Sequence, residues 1–541
     1  MLGRRNPQRS LFGAQHLPHR VPADSFYGRM ATVSDVLFGD DDLKEMYCPD
    51  NGRPSLPPSL MSGVLLLQFH DDVSDEEAVQ RTRFDLRWKV ALDLPLDYEG
   101  FDASSLSYFR KRLAEHGQER YAFDRFVAVG REAGFIPDRV TLLTDTTWAH
   151  GAGALQDTYT LLRKGIRKLL KACGFQMPGK RQGLSPQVQV LLGTYLDSDR
   201  KADIDWADPQ QRATQLKTLV QDAEAVLELA AAQSDDAEVS AIGWLLTKIL
   251  GDDMVTDGQG NPQIGEGTAP DRIISITEPE MRHGRKSSAH RFDGFKVAVS
   301  SEPSSDLILD IADVTASGSD GRHLIPTLVR VEAQADVVVE RAIADGAYGS
   351  GENLAACAHF PGHPVDLVTP LRQPTDAAVD KSAFEIDLQA ETATCPAGQT
   401  VSAHSRQKAD GRPLLLFTFP RATCEHCSLF ARCVRSKTRG RTVCTHAYEA
   451  YLQAQRQRQQ SDEFKQLYRT RSQVERKMAE LNRHGIRHTR YLGEKKRQLQ
   501  RLWTGAAVNL KHLFQLAEAQ GVELRQILSQ PSPHRRQLKP T

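Results

Sequence analysis

The sequence predicts an α/β protein in which one mixed β-sheet is assembled from segments that lie far apart along 541 residues. Two observations predict this class. A short β-branched and apolar run at residues 139–148 is followed far downstream by a pair of strand patterns and then by a further strand pattern. Long helical patterns lie before, between and after these runs. A chain of this length exceeds what one core needs, so we expect several domains or large insertions.

Six regions follow from these patterns. We expect a flexible basic arm, a helical amino-terminal domain, a core in three pieces, a helical insertion, a cysteine-containing insertion and a flexible tail. The arm covers residues 1–24 and the helical domain covers residues 25–137. The core combines residues 138–150, 271–356 and 456–520. The helical insertion covers residues 151–270, the cysteine-containing insertion residues 357–455 and the tail residues 521–541.

The helical domain is predicted from an apolar face formed by Leu60, Met61, Val64 and Leu65 and from a capping box that begins at Ser74. The first strand, at residues 139–148, delivers Asp145 near its end. The helical insertion is predicted from helical patterns at residues 158–172, 210–232 and 239–250.

Strand patterns resume after this insertion. A hairpin is predicted at residues 295–299 and 307–314, then a helix near residues 321–329, then a strand at residues 337–344 that runs into Asp345. Strand, hairpin, helix, strand is the order of a ribonuclease-H-like core. In the last segment of this core, residues 461–485 are predicted to form one long helix.

Composition excludes some classes of protein. Hydrophobic residues make up 40% of the chain, yet no apolar run approaches the ~18 residues that cross a bilayer, so we exclude a membrane protein. No hydrophobic segment follows the basic amino terminus, so we expect no secretory signal and a cytoplasmic protein. Lys and Arg total 69, as do Asp and Glu, so net charge gives no support for nucleic-acid binding.

Charge is nevertheless uneven along the chain. Residues 469–501 contain eleven Lys or Arg and three Glu. Such a run is more often a solvated helix face than a track for DNA, but beside a phosphate site we favour DNA.

Three carboxylates are candidates for metal-dependent cleavage of a phosphodiester. Two divalent ions need carboxylates that converge from separate elements. Asp145 and Asp345 end strands that are neighbours in a ribonuclease-H-like sheet, and Glu475 on a later helix completes the site. In one continuous helix, Tyr468, Arg471, Glu475 and position 482 would lie within about 60° of one another. An arginine on that face suits a phosphate, because its planar fork matches phosphate oxygens.

Several local strings resemble the DDE transposases of bacterial insertion sequences. They are residues 143–147, 284–287, 292–296, 344–348 and 468–475 in the catalytic segments, and residues 52–58 and 85–88 in the helical domain. The resemblance covers most of the chain. It implies that the helical domain at residues 25–137 binds DNA and that the three-piece core is catalytic.

The resemblance implies that Asp145, Asp345 and Glu475 hold Mg²⁺ or Mn²⁺. It also implies that Tyr468 and Arg471 contact DNA, from the signature Tyr-x2-Arg-x3-Glu-x6-Lys. The sequence departs from this signature at Asn482, which stands where lysine is expected, and Arg483 lies about 100° further round the helix. Arg483 is nevertheless a candidate DNA contact. Lys286 and Lys296, in the resembling hairpin segments, are further candidates.

A second constellation is predicted to bind zinc. Cys424, Cys427 and Cys433 lie close together in sequence, with Cys395 about thirty residues upstream, and four thiolates can close a tetrahedral structural site. Only one CxxC pair is present, so Cys444, His426 and His446 are alternative ligands. Buried thiols without metal are the competing interpretation.

The expected function is therefore that of a transposase. It would cleave double-stranded DNA at the terminal inverted repeats of an element and join the freed 3′ ends to target DNA. The resemblance further implies a homodimer in the synaptic complex and association with the nucleoid. The alternatives are a domesticated DNA-binding protein with the same fold and a related nuclease that does not transfer strands.

Overall fold

The computed structural model describes residues 1–4, 18–48, 52–198, 203–233, 235–287, 289–371, 379–409 and 412–530. Most of the predicted basic arm (residues 5–17) and the end of the predicted tail (residues 531–541) lie outside the described residues. The described part is a mixed α/β structure, as the sequence predicts.

The amino-terminal region is helical. Helix α2 begins at a proline, whose fixed φ and missing N–H suit a first helical turn. The predicted cap of α3 is confirmed, since Ser74 Oγ accepts a hydrogen bond from Glu77 N at 3.1 Å. The helices are α1 (Phe26–Ala31), α2 (Pro58–Asp71), α3 (Asp75–Phe84), α4 (Leu86–Ala91), α5 (Ser104–Glu115) and α6 (Tyr121–Glu132).

Strand β1 (Arg139–His150) is two residues longer than predicted, so Asp145 lies in its interior and not near its end. A helical insertion with its own apolar core follows it. Three of its helices match predicted ones, whereas α8 and a small hairpin were not predicted. The insertion contains α7 (Thr158–Ala172), α8 (Pro186–Tyr195), α9 (Pro209–Ala231), α10 (Ala237–Asp253), β2 (Met254–Thr256) and β3 (Pro262–Ile264).

The rest of the main sheet comes from the next segment. Its elements are β4 (Arg282–Arg285), β5 (Arg291–Glu302), β6 (Leu307–Thr315), α11 (Leu324–Ala335), β7 (Val338–Ile343), α12 (Gly351–Ala358) and β8 (Asp366–Val368). The sheet runs β5-β1-β7-β8, and both β4 and β6 pair with β5. Strands β7 and β8 continue parallel to β1, whereas β5 is antiparallel to β1 and β6. The predicted order of strand, hairpin, helix and strand is confirmed.

The second insertion contains two small antiparallel sheets. Phe384, Phe417 and Phe419 are buried in a core of its own. Its elements are β9 (Glu385–Asp387), β10 (Thr392–Thr394), β11 (Thr400–Ser402), β12 (Ser405–Ala409), β13 (Arg412–Thr418), α13 (Arg421–Glu425), α14 (Phe430–Cys433) and β14 (Thr442–Cys444).

Five helices complete the described chain: α15 (Glu449–Arg458), α16 (Asp462–Arg469), α17 (Ser472–Arg483), α18 (Glu494–Gln520) and α19 (Leu524–Leu528). The single helix predicted over residues 461–485 is wrong. Thr470 N and Arg471 N bond to carbonyls three residues back, and Thr470 Oγ1 also donates to Leu467 O at 2.7 Å, which tightens the backbone and separates α16 from α17.

Helix α18 is the centre of the molecule. Leu502, Trp503 and Ala506 are fully buried, and α18 packs against α2, α5, α6 and β6. The amino-terminal helices and the main sheet therefore share one hydrophobic core. Helix α19 adds Leu524 and Leu528 to this core, inside the region predicted as a tail.

Candidate active site

The register of the sheet places two aspartates side by side. Strands β1 and β7 pair in parallel up to Leu143 and Ile343. Asp145 and Asp345 each follow two residues beyond that pair. Because parallel strands advance equally, the two carboxylates emerge at the same edge of the paired region.

Glu475 reaches the same place from another direction. It lies in the first turn of α17, which packs against β1 and β5. Asp145, Asp345 and Glu475 all line one cavity of about 520 Å³. The fold therefore brings together three residues that are up to 330 positions apart in sequence, from a strand, a loop and a helix.

Arg471 lies between two of these carboxylates. Its Nη2 donates to Asp145 Oδ2 and its Nη1 donates to Glu475 Oε1, each at 2.8 Å. Burial lowers the pKa of Arg471, but its acidic surroundings, Asp145 foremost, raise the pKa above its ordinary value overall. Among the described residues, the three carboxylates are not all within 4.8 Å of one another. The guanidinium occupies part of the space that they enclose.

Asp145 is an unusually weak acid for an aspartate. Burial raises its pKa to about 6, and the charges of Asp345 and Asp320 act in the same direction. Arg471 and the hydrogen bond from Thr146 N, at 2.7 Å, oppose this shift without cancelling it. Burial thus outweighs the adjacent guanidinium in setting the charge of this carboxyl.

The aspartates are oriented by their own backbone surroundings. Ala347 N donates to Asp345 Oδ1 at 2.8 Å, and Thr369 Oγ1 donates to the Asp345 carbonyl at 2.6 Å. These contacts tie the loop after β7 to the residue that follows β8. Asp345 is therefore held by two neighbouring strand ends.

Asp320 is a fourth acid in the cavity, which the sequence reasoning missed. It accepts a hydrogen bond from Lys296 Nζ at 2.6 Å, and the same ammonium donates to Gly318 O at 2.8 Å. Lys296, a predicted DNA contact, lines the cavity but is already bonded inside the protein. Asp320-Gly321 reads in sequence as an ordinary turn, so no signal marked it.

A basic rim faces the carboxylates. Lys286, a predicted DNA contact, and its neighbour Arg285 are exposed at the end of β4 and line the cavity. Arg487, in the loop after α17, lines it as well. Arg285 and Arg487 were not predicted.

The signature helix contributes unequally to the cavity. Arg471, Glu475 and Asn482 line it, whereas Tyr468 and Arg483 do not. The ring of Tyr468 stacks on Phe464, and its pKa is raised by burial and by the nearby charges of Asp345 and Asp145. Arg483 is exposed on the outside of α17. Asn482 and Arg483 therefore face different directions, as the angle of about 100° between adjacent helical residues predicts.

The basic run at residues 469–501 is only partly a surface. Lys477, Arg497 and Arg501 have side chains that are at most 3% exposed. Asp306, Glu480 and His512 form the one group of metal-site dimensions found among the described residues. Lys477 Nζ lies 3.0 Å from both acids and 2.8 Å from the histidine ring. Its ammonium already supplies that group with a cation. These three cations are internal, so they cannot belong to the DNA-binding track that the sequence favours for this run.

The four predicted zinc ligands meet in the second insertion. Cys395, Cys424, Cys427 and Cys433 line one small cavity of about 40 Å³, which Cys444, His426 and His446 do not line. Leu429 N donates to Cys427 Sγ at 3.4 Å. Burial raises the pKa of Cys433, and the other three thiols add to that rise. Among the described residues, no three of these sulfurs all lie within 4.8 Å of one another.

Two models of known protein families match parts of the chain. A family model for a transposase DDE domain matches residues 394–514, which include Glu475, and one for a DUF772 transposase domain matches residues 15–112. No curated protein and no solved structure shows a significant match. Among the described residues, no helix is both long and apolar enough to cross a membrane. The two matches, one toward each end of the chain, support a DDE-type transposase of an insertion sequence.

Proposed function

We propose that the protein cleaves DNA at the terminal inverted repeats of its insertion sequence and joins the 3′ ends to target DNA by two-metal-ion phosphoryl transfer. The observation that supports this most is the convergence of Asp145, Asp345 and Glu475 on one cavity. A strand, a loop and a helix each supply one acid, so the arrangement is a product of the tertiary fold.

The residues present fit a divalent cation. Carboxylate oxygens are the ligands that Mg²⁺ and Mn²⁺ prefer, and three are directed into this cavity together with Asp320. Asp145, Asp345 and Glu475 would hold the ions. When bound, such ions activate the attacking oxygen and stabilise the leaving oxygen of the phosphodiester.

The chain's own groups prepare the site for an anionic substrate. Arg471 is bonded to Asp145 and Glu475 in the protein alone. The planar fork of Arg471 matches phosphate oxygens, so this side chain would hold the scissile phosphate beside the two acids. Arg285 and Lys286 on the rim would hold the DNA backbone, and their charge attracts it irrespective of sequence.

The partners follow from this activity. Double-stranded DNA, as element ends and as target, is the substrate, and a homodimer would hold two ends in the synaptic complex. Such a protein would act in the cytoplasm, at the nucleoid. The cysteine cluster would hold a structural zinc ion that stabilises the second insertion.

The experiment compares Glu475→Gln with the parent on labelled duplexes from the DNA that flanks the gene, with Mg²⁺. Loss of cleavage with unchanged DNA affinity is expected, because the change removes a metal ligand and leaves the basic rim intact. Glu463→Gln, an exposed position on α16, is the matched control. Parental cleavage by Glu475→Gln would refute the site assignment.

The same assay separates the alternatives. A nuclease would cleave the duplex without joining its 3′ end to a second DNA. A domesticated DNA-binding protein would bind the duplex and leave it uncut.

A further inference from the structure

We propose that Arg487 is a fixed anion-binding group that holds a backbone phosphate of the DNA strand in the cavity. The inference deepens the proposed function and rests on it for the identity of the ligand. Arg487 lies outside the helix that carries Arg471 and Glu475, yet it lines the same cavity.

The charge of Arg487 is not balanced by an acid. Its Nε donates to Thr147 Oγ1 at 3.1 Å, and its guanidinium lies 4.7 Å from the centre of the Trp148 ring. No carboxylate among the described residues forms an ion pair with it, in contrast to Arg471 and Lys296. Burial lowers its pKa, and no acidic neighbour offsets that effect. A half-buried cation of this kind is stabilised by an incoming anion.

The backbone around Arg487 is rigidly anchored. Its carbonyl accepts a hydrogen bond from His150 N at 2.8 Å, at the end of β1. The flanking carbonyls of Ile486 and His488 accept bonds from the buried side chains of Arg501, at 2.5 Å, and Gln500, at 2.6 Å. A loop fixed from both sides loses little entropy when the side chain binds a ligand.

The position of the guanidinium suits a phosphate near the carboxylates. Both residues that hold it, Thr147 and Trp148, follow Asp145 on β1 by two and three positions. Its Nε is used by Thr147, which leaves the two terminal nitrogens to form a fork toward the cavity. Asn482, which lines the cavity where the signature has lysine, is neutral, whereas Arg487 brings a positive charge to the same cavity.

The test uses the full chain and a labelled end duplex without divalent cations. Binding of the parent, Arg487→Gln, Arg487→Met, Arg487→Lys and the exposed control Arg212→Gln is measured between about 50 and 200 mM salt. Both charge-removing variants are expected to bind about tenfold more weakly and to lower the slope of log affinity against log salt by about 0.9. Arg487→Lys should keep the parental slope, and so should the control.

Methionine retains an unbranched stem that can pack on Trp148, so one charge-removing variant remains informative if the glutamine variant fails to fold. Parental slope and affinity in a folded charge-removing variant would overturn the proposal. The binding assay needs no metal. A parent that binds DNA but never cleaves it would therefore refute the proposed function, while the salt dependence of binding would still test the role of Arg487.

Discussion

Replacing Asp145 by asparagine should make the protein more stable while abolishing metal-dependent cleavage. Burial raises the pKa of Asp145 to about 6 from its ordinary 3.8, so the ionised form is disfavoured in the folded protein. Asparagine has nearly the same shape and no charge. It also retains an oxygen that can accept the hydrogen bond from Thr146 N.

The magnitude follows from the pKa shift. A difference of about two pKa units corresponds to about 3 kcal/mol at pH values above both pKa values. The side chain of Asp145 is only 16% exposed, so solvent screening does not remove most of this. The folded state binds more protons than the unfolded state between pH 3.8 and about 6. As the pH rises through that window, the free energy of unfolding of the parent therefore decreases, and at higher pH it stays constant.

The assay is urea unfolding without divalent cations at pH 7.5 and at intervals down to pH 4. Asp145→Asn should exceed the parent by up to about 3 kcal/mol at pH 7.5, with a difference that disappears toward pH 4. Asp203→Asn, in an exposed loop, is the control. Added Mg²⁺ should stabilise the parent more than the variant. A variant no more stable than the parent at pH 7.5 would refute the argument that burial dominates.

Three further outcomes are expected. Affinity for Mg²⁺ should fall as pH drops below 6, approaching tenfold per unit, because protons and cations compete for Asp145; calorimetry that finds constant affinity from pH 6 to 5 would contradict this. Lys477→Met should lower the free energy of unfolding by about 1–3 kcal/mol, because Glu480 loses its buried cation but keeps Lys511 and His512, whereas Lys171→Met on an exposed face should change little. Purified protein should contain zinc that a Cys424→Ser, Cys427→Ser variant lacks, and equal, near-zero zinc in both would remove that site.

Much of the catalytic sheet could be predicted because its strands are marked by local composition. The runs that became β1, β5, β6 and β7 are rich in β-branched and apolar residues, and most of their apolar side chains are buried. Asp145 and Asp345 could be paired because the order of strands made β1 and β7 neighbours. The register that aligns Leu143 with Ile343 is a property of the fold, and the sequence alone did not predict it.

The break between α16 and α17 could not be predicted from periodicity. The apolar and charged positions continue in phase through it, and the helix ends because of hydrogen bonds around Thr470. The break leaves Arg471 before the first turn of α17, from where it bonds to both Asp145 and Glu475.

The distribution of charge was the least predictable property. Counting Lys and Arg over residues 469–501 cannot show that Arg497 is paired with Glu278, or Arg501 with Asp313, since those acids come from distant segments. Arg487 was missed for the related reason that its place in the cavity is fixed by Arg501 and by the end of β1. Long-range pairing decides which cations face solvent.

The cavity contains two kinds of cation. Arg471 and Lys296 are bonded to its acids, and the charge of Arg471 offsets part of the effect of burial, which raises the pKa of Asp145 to about 6. Arg285, Lys286 and Arg487 line it without ion pairs to carboxylates of the described chain. Divalent cations would neutralise the acids of the cavity, and DNA phosphates would neutralise its unpaired cations, so each should favour binding of the other. Burial disfavours the ionised form of Asp145, as its raised pKa indicates, and a bound divalent cation would offset that effect.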